Sequence, residues 1–259
     1  MYLCNVEKAV KTVDIRSLSL AQLKDALVEM GEQGFRAKQI YEWLWQKSCT
    51  DFDEMSNLSK SLRETLKANF TINAVKVKQS QISSDKTIKS TFSLYDNNVI
   101  EGVLIPADDR MTACVSCSLT CKFCATGYMD RKRNLNADEI YDQVVLIAKQ
   151  AEEKYGHPLT NIVYMGMGEP LLNYSNMMKS VDRITSPDGL NMAAKRITVS
   201  TAGIAKMIKK LGDDEVRFNL ALSLHAANDD KRNEIMPINE QNSLAALAEA
   251  LKYFYAKTK

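Results

Sequence analysis

From residue 111 onward, short apolar segments alternate with amphipathic helical segments, and this alternation restricts the possible folds more than any other feature of the chain. Repeated strand–helix–strand units form parallel sheets with right-handed crossovers. The sequence therefore predicts an α/β fold for this part of the chain. The predicted strands cover residues 111–115, 161–165, 197–200 and 217–224, and the predicted helices cover 136–155, 173–184, 202–211 and 241–257.

The first seventy residues have helical periodicity instead. Ser19 and Gln22 form a capping-box pattern that predicts the start of a helix, and Gly31 predicts its end. Two further amphipathic segments follow, at 35–47 and from Ser59 to Phe70. After Thr71 the pattern becomes β-branched and polar, and a hairpin is predicted at 87–106. We therefore expect a helical domain at 1–72, a linker with a hairpin at 73–106 and an α/β core at 107–259.

The composition is that of an ordinary soluble globular protein, with 259 residues, 45% hydrophobic and 25% charged. No apolar run approaches the ~20 residues that span a bilayer, and the first thirty residues contain no apolar core of a signal peptide. We therefore expect a monomeric cytoplasmic protein without a membrane partner.

Basic residues are concentrated in two segments, although the net charge is only +2. Residues 59–89 carry seven Lys or Arg against two acids, and Arg131, Lys132 and Arg133 are consecutive. Such clusters are typical of surfaces that bind a phosphate backbone, but a charge run is more often a solvated face. Nucleic-acid binding is the hypothesis that these two segments suggest.

Four of the six cysteines lie within eleven residues, which random placement does not explain. Cys117, Cys121 and Cys124 form a C-x3-C-x2-C triplet. Structural zinc sites use four closed ligands, and a zinc ribbon needs two knuckles about 12–20 residues apart. Three close thiolates instead suit an iron–sulfur cubane with one iron open to a substrate. Cys4 and Cys49 are isolated, and no role is assigned to them.

Several residues with chemical potential follow the predicted strands. Each has an ordinary structural explanation, as a glycine turn, a helix-capping serine or a satisfied histidine. Because the carboxyl ends of parallel strands meet at one edge of a sheet, together they predict one pocket. In this pocket a glutamate could hold an ammonium group. The residues are Gly168, Glu169, Ser200, Ser223, Leu224 and His225.

The motifs as a set resemble one family narrowly. The segments CSLTCKFCATG at 117–127, GMGEP, VSTAG, and SLHAAND followed by MPIN are similar to the RlmN-type radical S-adenosylmethionine (SAM) enzymes, and so is FRAKQIYEW at 35–43. GMGEP alone is a weak motif, but all of these segments in order are specific. The resemblance covers most of the chain.

The resemblance implies a radical SAM partial (βα) barrel with a small N-terminal helical domain that binds RNA. It implies methylation of C2 of adenine in 23S rRNA and tRNA, with an electron donor such as flavodoxin. The implied cofactors are a [4Fe–4S] cluster held by Cys117, Cys121 and Cys124, and SAM held by the six strand-end residues. Glu101 matches the family's general base, and Cys114 matches the cysteine that resolves the protein–RNA adduct through a disulfide.

In the family's mechanism one SAM methylates a C-terminal cysteine, and a second SAM supplies the radical that activates this methyl group. Two features of the chain depart from the pattern. The family separates the equivalents of Cys114 and Cys117 by six residues, whereas here only Val115 and Ser116 intervene. The chain also ends at Lys259, before the expected methyl-carrying cysteine.

From these departures we expect about four residues to be missing between Ser116 and Cys117, with a gap in the structure there. A continuous peptide would instead remove the basis for the role of Cys114. Two alternatives remain open on the sequence. One is the C8-methylating relative that confers ribosomal antibiotic resistance. The other is an RNA-binding module that a structural metal stabilises, without catalysis.

Overall fold

A computed structural model describes residues 13–118 and 133–259 of the chain. Its contacts divide the chain into two compact units, Met1–Ala74 and Val75–Lys259. Each unit has a hydrophobic core of its own.

The first unit is mainly helical, as the periodicity predicted. Ser19 Oγ accepts from the amide of Gln22 at 3.2 Å, and Gln22 Oε1 accepts from the amide of Ser19 at 2.9 Å, so the predicted capping box is formed. Leu23 and Leu27 on the first helix are fully buried. In chain order the elements are β1 (Val13–Asp14), α1 (Leu20–Glu29), α2 (Arg36–Trp45), α3 (Lys60–Asn69) and β2 (Phe70–Thr71), and β1 pairs with β2 in parallel.

The second unit is built on a seven-stranded sheet whose strands lie side by side in sequence order. The first three pairings are antiparallel, and the last three are parallel. The predicted parallel α/β region and the predicted hairpin are therefore confirmed. The strands are β3 (Lys76–Ile82), β4 (Ile88–Ser93), β5 (Val99–Ala107), β6 (Arg110–Cys114), β7 (Asn161–Tyr164), β8 (Ile197–Thr201) and β9 (Asn219–Leu222).

Strand β3 lies within the segment that the sequence predicted as a linker. Every residue of β3 is exposed, and the strand pairs with β4 alone among the described strands. An exposed strand has no alternation of apolar and polar residues to reveal it, because neither of its faces is buried.

Helices follow each parallel strand as predicted, and one was missed. They are α4 (Ala137–Tyr155), α5 (Tyr174–Thr185), α6 (Ala205–Asp213), α7 (Asp229–Ile235) and α8 (Leu244–Thr258). The missed helix, α7, has only seven residues and begins at the Asn228 cap. Within the described residues, no helix combines the length and the apolar character that crossing a membrane would require.

The two faces of the sheet differ in burial. Ile162 on β7 and Ile197 on β8 are partners in register, and both are fully buried on the face that the helices cover. The opposite face carries Cys114, which pairs with Val163 on β7 and with Val103 on β5. Because side chains alternate along a strand, Glu101 lies on this same face. The second face is the more exposed one and carries most of the polar residues of the strands.

The backbone of residues 115–118 is held by hydrogen bonds, and the expected omission of about four residues between Ser116 and Cys117 stays a prediction. The amide of Val115 donates to Val163 O at 3.0 Å, and the amides of Cys117 and Ser118 donate to Met167 O at 2.9 and 3.2 Å. The amide of Ser116 donates to Gln143 Oε1 at 2.9 Å. Four consecutive amides are thus held by the fold itself.

We expect Gly102→Ala to destabilise the second unit by about 1–3 kcal/mol, because a Cβ at this position overpacks the core. It would lie 2.7 Å from Phe92 Cε2 and 3.1 Å from Ile147 Cδ1, between the sheet and α4. Val99→Ala on the same strand is the control, since Val99 is exposed and its loss should change stability by less than about 0.5 kcal/mol. Equal urea midpoints for the two variants would contradict this packing.

Candidate functional site

A cavity of about 300 Å³ lies at the carboxyl ends of β7, β8 and β9. Five of the six strand-end residues predicted from the sequence line it. The sixth, Leu224, is not part of the lining, and its side chain is exposed. The lining consists of Tyr164, Met165, Gly166, Gly168, Glu169, Ser200, Thr201, Ala202, Ser223 and His225.

The glycines of the GMGEP motif bring the cysteine segment against the cavity. A Cβ on Gly166 would lie 2.6 Å from Ser116 Oγ, and one on Gly168 would lie 2.4 Å from Ser118 Cβ. Gly168 also has a φ of +98°, which side chains rarely permit. The close approach predicted for these glycines therefore includes the chain's own residues 115–118.

Cys117 is held beside the cavity by this approach. Its thiol is buried, with Sγ 3.6 Å from Met167 O, and Met167 lies between the two lining glycines. Cys121 and Cys124, the other predicted cluster ligands, lie outside the described residues. The described chain thus places one thiol of the triplet next to the cavity.

Buried polar side chains, which the sequence analysis missed, anchor this segment. Gln143 on α4 accepts from the amide of Ser116 and donates to its carbonyl at 3.0 Å. Asn173 Nδ2 donates to the carbonyls of Cys117 and Leu135, both at 2.8 Å. Ser118 and Asn134 form an isolated antiparallel bridge. Residues 118 and 134, which lie on either side of the undescribed residues 119–132, are therefore bridged to each other.

Glu169 closes one wall of the cavity and links two strand ends. Its Oε1 accepts from the amide of Leu171 at 3.0 Å, and its Oε2 accepts from the amide of Ala202 at 2.7 Å. Burial raises the pKa of the Glu169 carboxyl, and these two amide hydrogen bonds oppose the rise. Because a carboxylate has about four acceptor positions, it can still bind a ligand's ammonium group.

The opposite wall is formed by the ends of β8 and β9. Ser200 Oγ and Ser223 Oγ lie 3.3 Å apart, so two hydroxyl groups converge there. His225 has a φ of +58°, in the left-handed region. Such a conformation in a non-glycine residue is costly and is often found at ligand sites.

Arg232 on α7 supports this wall from behind and was also missed. Its side chain is fully buried and donates hydrogen bonds to the carbonyls of Ala202, Ser223 and Leu224. An arginine in the short polar segment after SLHAAND is expected to be exposed to solvent, so the sequence contains no signal for its burial.

Glu101 and Cys114 lie on the exposed face of the sheet. Glu101 Oε1 forms an ion pair with Lys89 Nζ at 2.8 Å, and its carbonyl accepts from Ser116 Oγ at 2.6 Å. Burial raises the pKa of the Cys114 thiol, which the amide of Met165 partly opposes. The role of Cys114 in resolving a protein–RNA adduct stays a prediction.

Several basic residues of the two predicted RNA-binding segments form ion pairs within the protein. Arg133 pairs with Asp96 at 2.6 Å and with the buried Glu139 at 2.7 Å, so the prediction that Arg133 contributes an RNA-binding charge is corrected. Arg131 and Lys132 lie outside the described residues. Four further lysines of the predicted segment, Lys60, Lys76, Lys78 and Lys86, have no ion pair with another described residue, whereas Arg63, Lys67 and Lys89 are paired.

The site's donor groups fit the two cofactors that the sequence suggested. Small-molecule sites occupy about 300–1,000 Å³ and combine apolar walls with a few convergent polar groups. Here one carboxylate, two hydroxyls and glycine backbone meet in a cavity of about 300 Å³. A buried thiol lies beside them, and thiolates are the ligands of iron–sulfur clusters.

Two family models match the chain. The model of the ribosomal RNA large subunit methyltransferase N-terminal domain matches residues 13–72, and that of the radical SAM superfamily matches residues 111–258. The predicted resemblance and fold type are therefore confirmed. Residues 73–110 lie between the two matches.

Curated relatives carry the name "Probable dual-specificity RNA methyltransferase RlmN". The protein of Cytophaga hutchinsonii is 61% identical over all of this chain and 73% of its own length. That of Christiangramia forsetii is 53% identical over all of this chain and 74% of its own. The crystal structure of a radical SAM methyltransferase from Sphaerobacter thermophilus matches 95% of this chain and 73% of that one, with a TM-score of 0.86 and 39% identity.

We expect Gly168→Ala to abolish iron retention after anaerobic reconstitution, because the new Cβ would displace Ser118 and with it Cys117. Gly156→Ala is the matched control. Gly156 also has a positive φ, but nothing lies within 4 Å of the added Cβ. The control should lose about 1–2 kcal/mol of stability and keep its iron. Full iron content in Gly168→Ala would contradict the proposed role of the close approach.

Proposed function

This chain belongs to the RlmN family within the radical SAM superfamily, and from that premise we propose that it methylates C2 of adenine in 23S rRNA and tRNA. The observation that carries the proposal is the position of Cys117 beside a polar cavity at the carboxyl ends of parallel strands. That arrangement lets one thiolate ligand of a cluster border a bound cofactor.

Cys117, Cys121 and Cys124 would hold the [4Fe–4S] cluster, and the strand-end cavity would hold SAM. In radical SAM enzymes in general, these two cofactors together supply an electron-driven cleavage of SAM that yields a deoxyadenosyl radical. The protein's part is binding, orientation and exclusion of side reactions. Gln143 and Asn173 serve orientation, because they fix the backbone that carries Cys117.

The two walls of the cavity would bind different groups of SAM. Glu169 would bind the ammonium group of SAM, and the hydroxyls of Ser200 and Ser223 would donate to or accept from its polar atoms. The backbone of Gly168 and the segment from Ser223 to His225 would complete the contacts. Leu224 would contribute only through its main chain, because its side chain does not line the cavity.

Glu101 would act as the general base on the exposed face of the sheet. The ion pair with Lys89 orients the carboxylate of Glu101, and the hydrogen bond from Ser116 Oγ fixes its main-chain carbonyl. Glu101 and Cys114 lie on the same face as Ser200, which makes this face the side from which a target adenine would approach. Cys114 would have the role that the resemblance gives it, the resolution of the protein–RNA adduct.

We propose a binding surface for RNA on the lysines that have no ion pair with another described residue. Lys76 and Lys78 lie on the exposed strand β3, and Lys86 lies in the turn after it. Lysines free of internal partners can neutralise backbone phosphates and release counterions. The helical domain matched at 13–72 is the second proposed RNA contact.

Anaerobic reconstitution tests the cofactor assignment. We expect the chain to bind a cubane cluster and to cleave SAM reductively. Cys117→Ala should lose both properties, because it removes one of only three protein ligands of the cluster. Cys49→Ala, which removes a buried cysteine of the other unit, should keep wild-type iron content. A colourless wild-type protein that binds only zinc would favour the metal-stabilised RNA-binding module.

Nucleoside analysis tests the position of methylation. The protein used carries the methyl-accepting cysteine that the resemblance places after Lys259. After incubation with unmodified 23S rRNA and tRNA, we expect 2-methyladenosine in the digested RNA, and Glu101→Gln should lower its yield while SAM cleavage continues. Finding 8-methyladenosine instead would support the C8-methylating relative. SAM cleavage without any methylated adenosine, by a protein that carries this cysteine, would contradict the methyltransferase proposal.

The salt dependence of RNA affinity tests the lysine surface. Replacing Lys76, Lys78 and Lys86 by Gln should reduce the slope of log K against log salt by about 1 per phosphate contact removed. Arg63→Gln and Lys67→Gln form the control, because both side chains already pair with Asp53. An unchanged slope in the triple variant, measured by filter binding, would place the phosphate contacts elsewhere.

A further inference from the structure

Phe35 is an exposed aromatic residue at the start of α2, and the packing of the helical unit does not account for it. Its side chain is 56% exposed. The buried face of α2 carries Ala37, Ile40 and Leu44 instead. Phe35 occupies the N-cap position without a capping hydrogen bond from its side chain, where serine or aspartate would stabilise the helix better. The exposed ring therefore calls for an explanation outside the core of its own unit.

A guanidinium group lies over this ring. Arg36 Cζ is 4.8 Å from the centroid of the Phe35 ring. Arg36 Nη1 donates to Gln39 Oε1 at 2.7 Å, which holds the guanidinium group in this position. Aromatic rings and arginine guanidinium planes are both groups on which unpaired RNA bases stack. The two neighbouring side chains are therefore both suited to contact a base.

Gly34 brings this pair against α1. A Cβ on Gly34 would lie 3.0 Å from Lys24 Cε and 3.5 Å from Val28 Cγ2. Lys24 is exposed, and the side chain of Val28 is 57% exposed. An aromatic ring, an aliphatic side chain and two cations thus share one surface, which we call the Phe35 patch. It consists of Lys24, Val28, Phe35 and Arg36.

The two cations of the Phe35 patch have no acidic partner among the described residues. Neither Lys24 nor Arg36 lies within the 4.0 Å of an ion pair with a described carboxylate, and Arg36 donates to a neutral amide oxygen. Asp25 and Glu29 each follow a patch residue on α1, and successive residues of a helix point about 100° apart. Both positive charges of the patch therefore remain available to a phosphate.

We propose that the Phe35 patch binds an unpaired nucleotide of the RNA, with its base against the Phe35 ring and its phosphate beside Lys24. Stacking on an aromatic ring needs the face of a base, which single-stranded RNA exposes and a continuous duplex does not. The inference rests on the proposed function, in which the helical domain contacts RNA. It adds the residue that makes the contact and the requirement for a nucleotide outside a duplex.

Two RNA probes and four variants test the proposal on the reconstituted full chain. The probes are a stem–loop with an unpaired adenosine-containing loop and a fully paired duplex of the same length. Phe35→Ala removes the ring, Phe35→Leu keeps apolar bulk without an aromatic face, and Phe35→Tyr keeps the aromatic face. Val28→Ala is the control, because Val28 is as exposed as Phe35 but has no ring. Dissociation constants are measured by fluorescence anisotropy at fixed salt.

We expect Phe35→Ala to weaken binding of the stem–loop by about fivefold to a hundredfold, the range found when a stacking side chain is replaced by alanine. Binding of the duplex should change by less than about twofold. Phe35→Tyr should bind the stem–loop as wild type does, Phe35→Leu should resemble Phe35→Ala, and Val28→Ala should leave both affinities unchanged. Equal losses for the two probes, or wild-type affinity in Phe35→Leu, would overturn the proposal.

Salt titration tests the phosphate contact separately. Lys24→Gln should reduce the slope of log K against log salt for the stem–loop by about 1, because one phosphate contact is removed. Lys38→Gln is the control on α2, since Lys38 is exposed and lies outside the Phe35 patch. The same slope in Lys24→Gln as in wild type would overturn the placement of a phosphate beside Lys24.

The comparison remains decisive if Phe35→Ala fails to fold. In that case Phe35→Leu is compared with Phe35→Tyr, and equal stem–loop affinities in these two variants overturn the proposal. Failure of the proposed function is recognised separately, because the wild-type protein would then form no 2-methyladenosine even where Phe35→Ala weakens stem–loop binding. Normal methylation by wild type with no effect of Phe35→Ala on stem–loop affinity refutes the inference about Phe35 alone.

Discussion

The contact between two backbone segments, 115–118 and 166–168, is the constraint on which the rest of the site depends. At the two glycines the main chains approach so closely that a single Cβ would collide with Ser116 or Ser118. The approach lets Met167 O accept from two successive amides and places the Cys117 thiol beside the same carbonyl. The cysteine segment and the cavity are therefore parts of one packed unit.

Two arginines near this unit, the half-buried Arg133 and the buried Arg232, have different partners for their charge. Arg133 forms a network with Asp96 and the buried Glu139, in which opposite charges compensate one another. Arg232 has carbonyl and amide oxygens as its partners. The first arrangement compensates the buried carboxylate of Glu139, which would be left without its counter-charge if Arg133 were removed. The second joins the ends of β8 and β9, because the carbonyls belong to Ala202, Ser223 and Leu224.

Local signals explain what could be predicted from the sequence. The capping box at Ser19, the alternation of strands and helices after residue 111, and the glycine that ends α4 are all encoded by neighbouring residues. The prediction that residues at the ends of parallel strands share one pocket is correct for five of the six residues named. Strand β3 and helix α7 were missed because one is exposed throughout and the other is too short for periodicity. Gln143 and Arg232 were missed because a polar residue in a sequence does not reveal that it is buried against distant carbonyls.

The exposed strand β3 has a further consequence for the solution behaviour of the protein. It is the terminal strand of the described sheet, and it presents backbone donors and acceptors along one edge together with the exposed side chains of Val77 and Ile82. Such an edge can pair with the same edge of another molecule and begin aggregation. Lys76 and Lys78 flank Val77 on this strand, and lysine is a residue by which natural sheets prevent edge pairing. The same charges that would meet RNA would thus also keep copies of this chain apart when no RNA is bound.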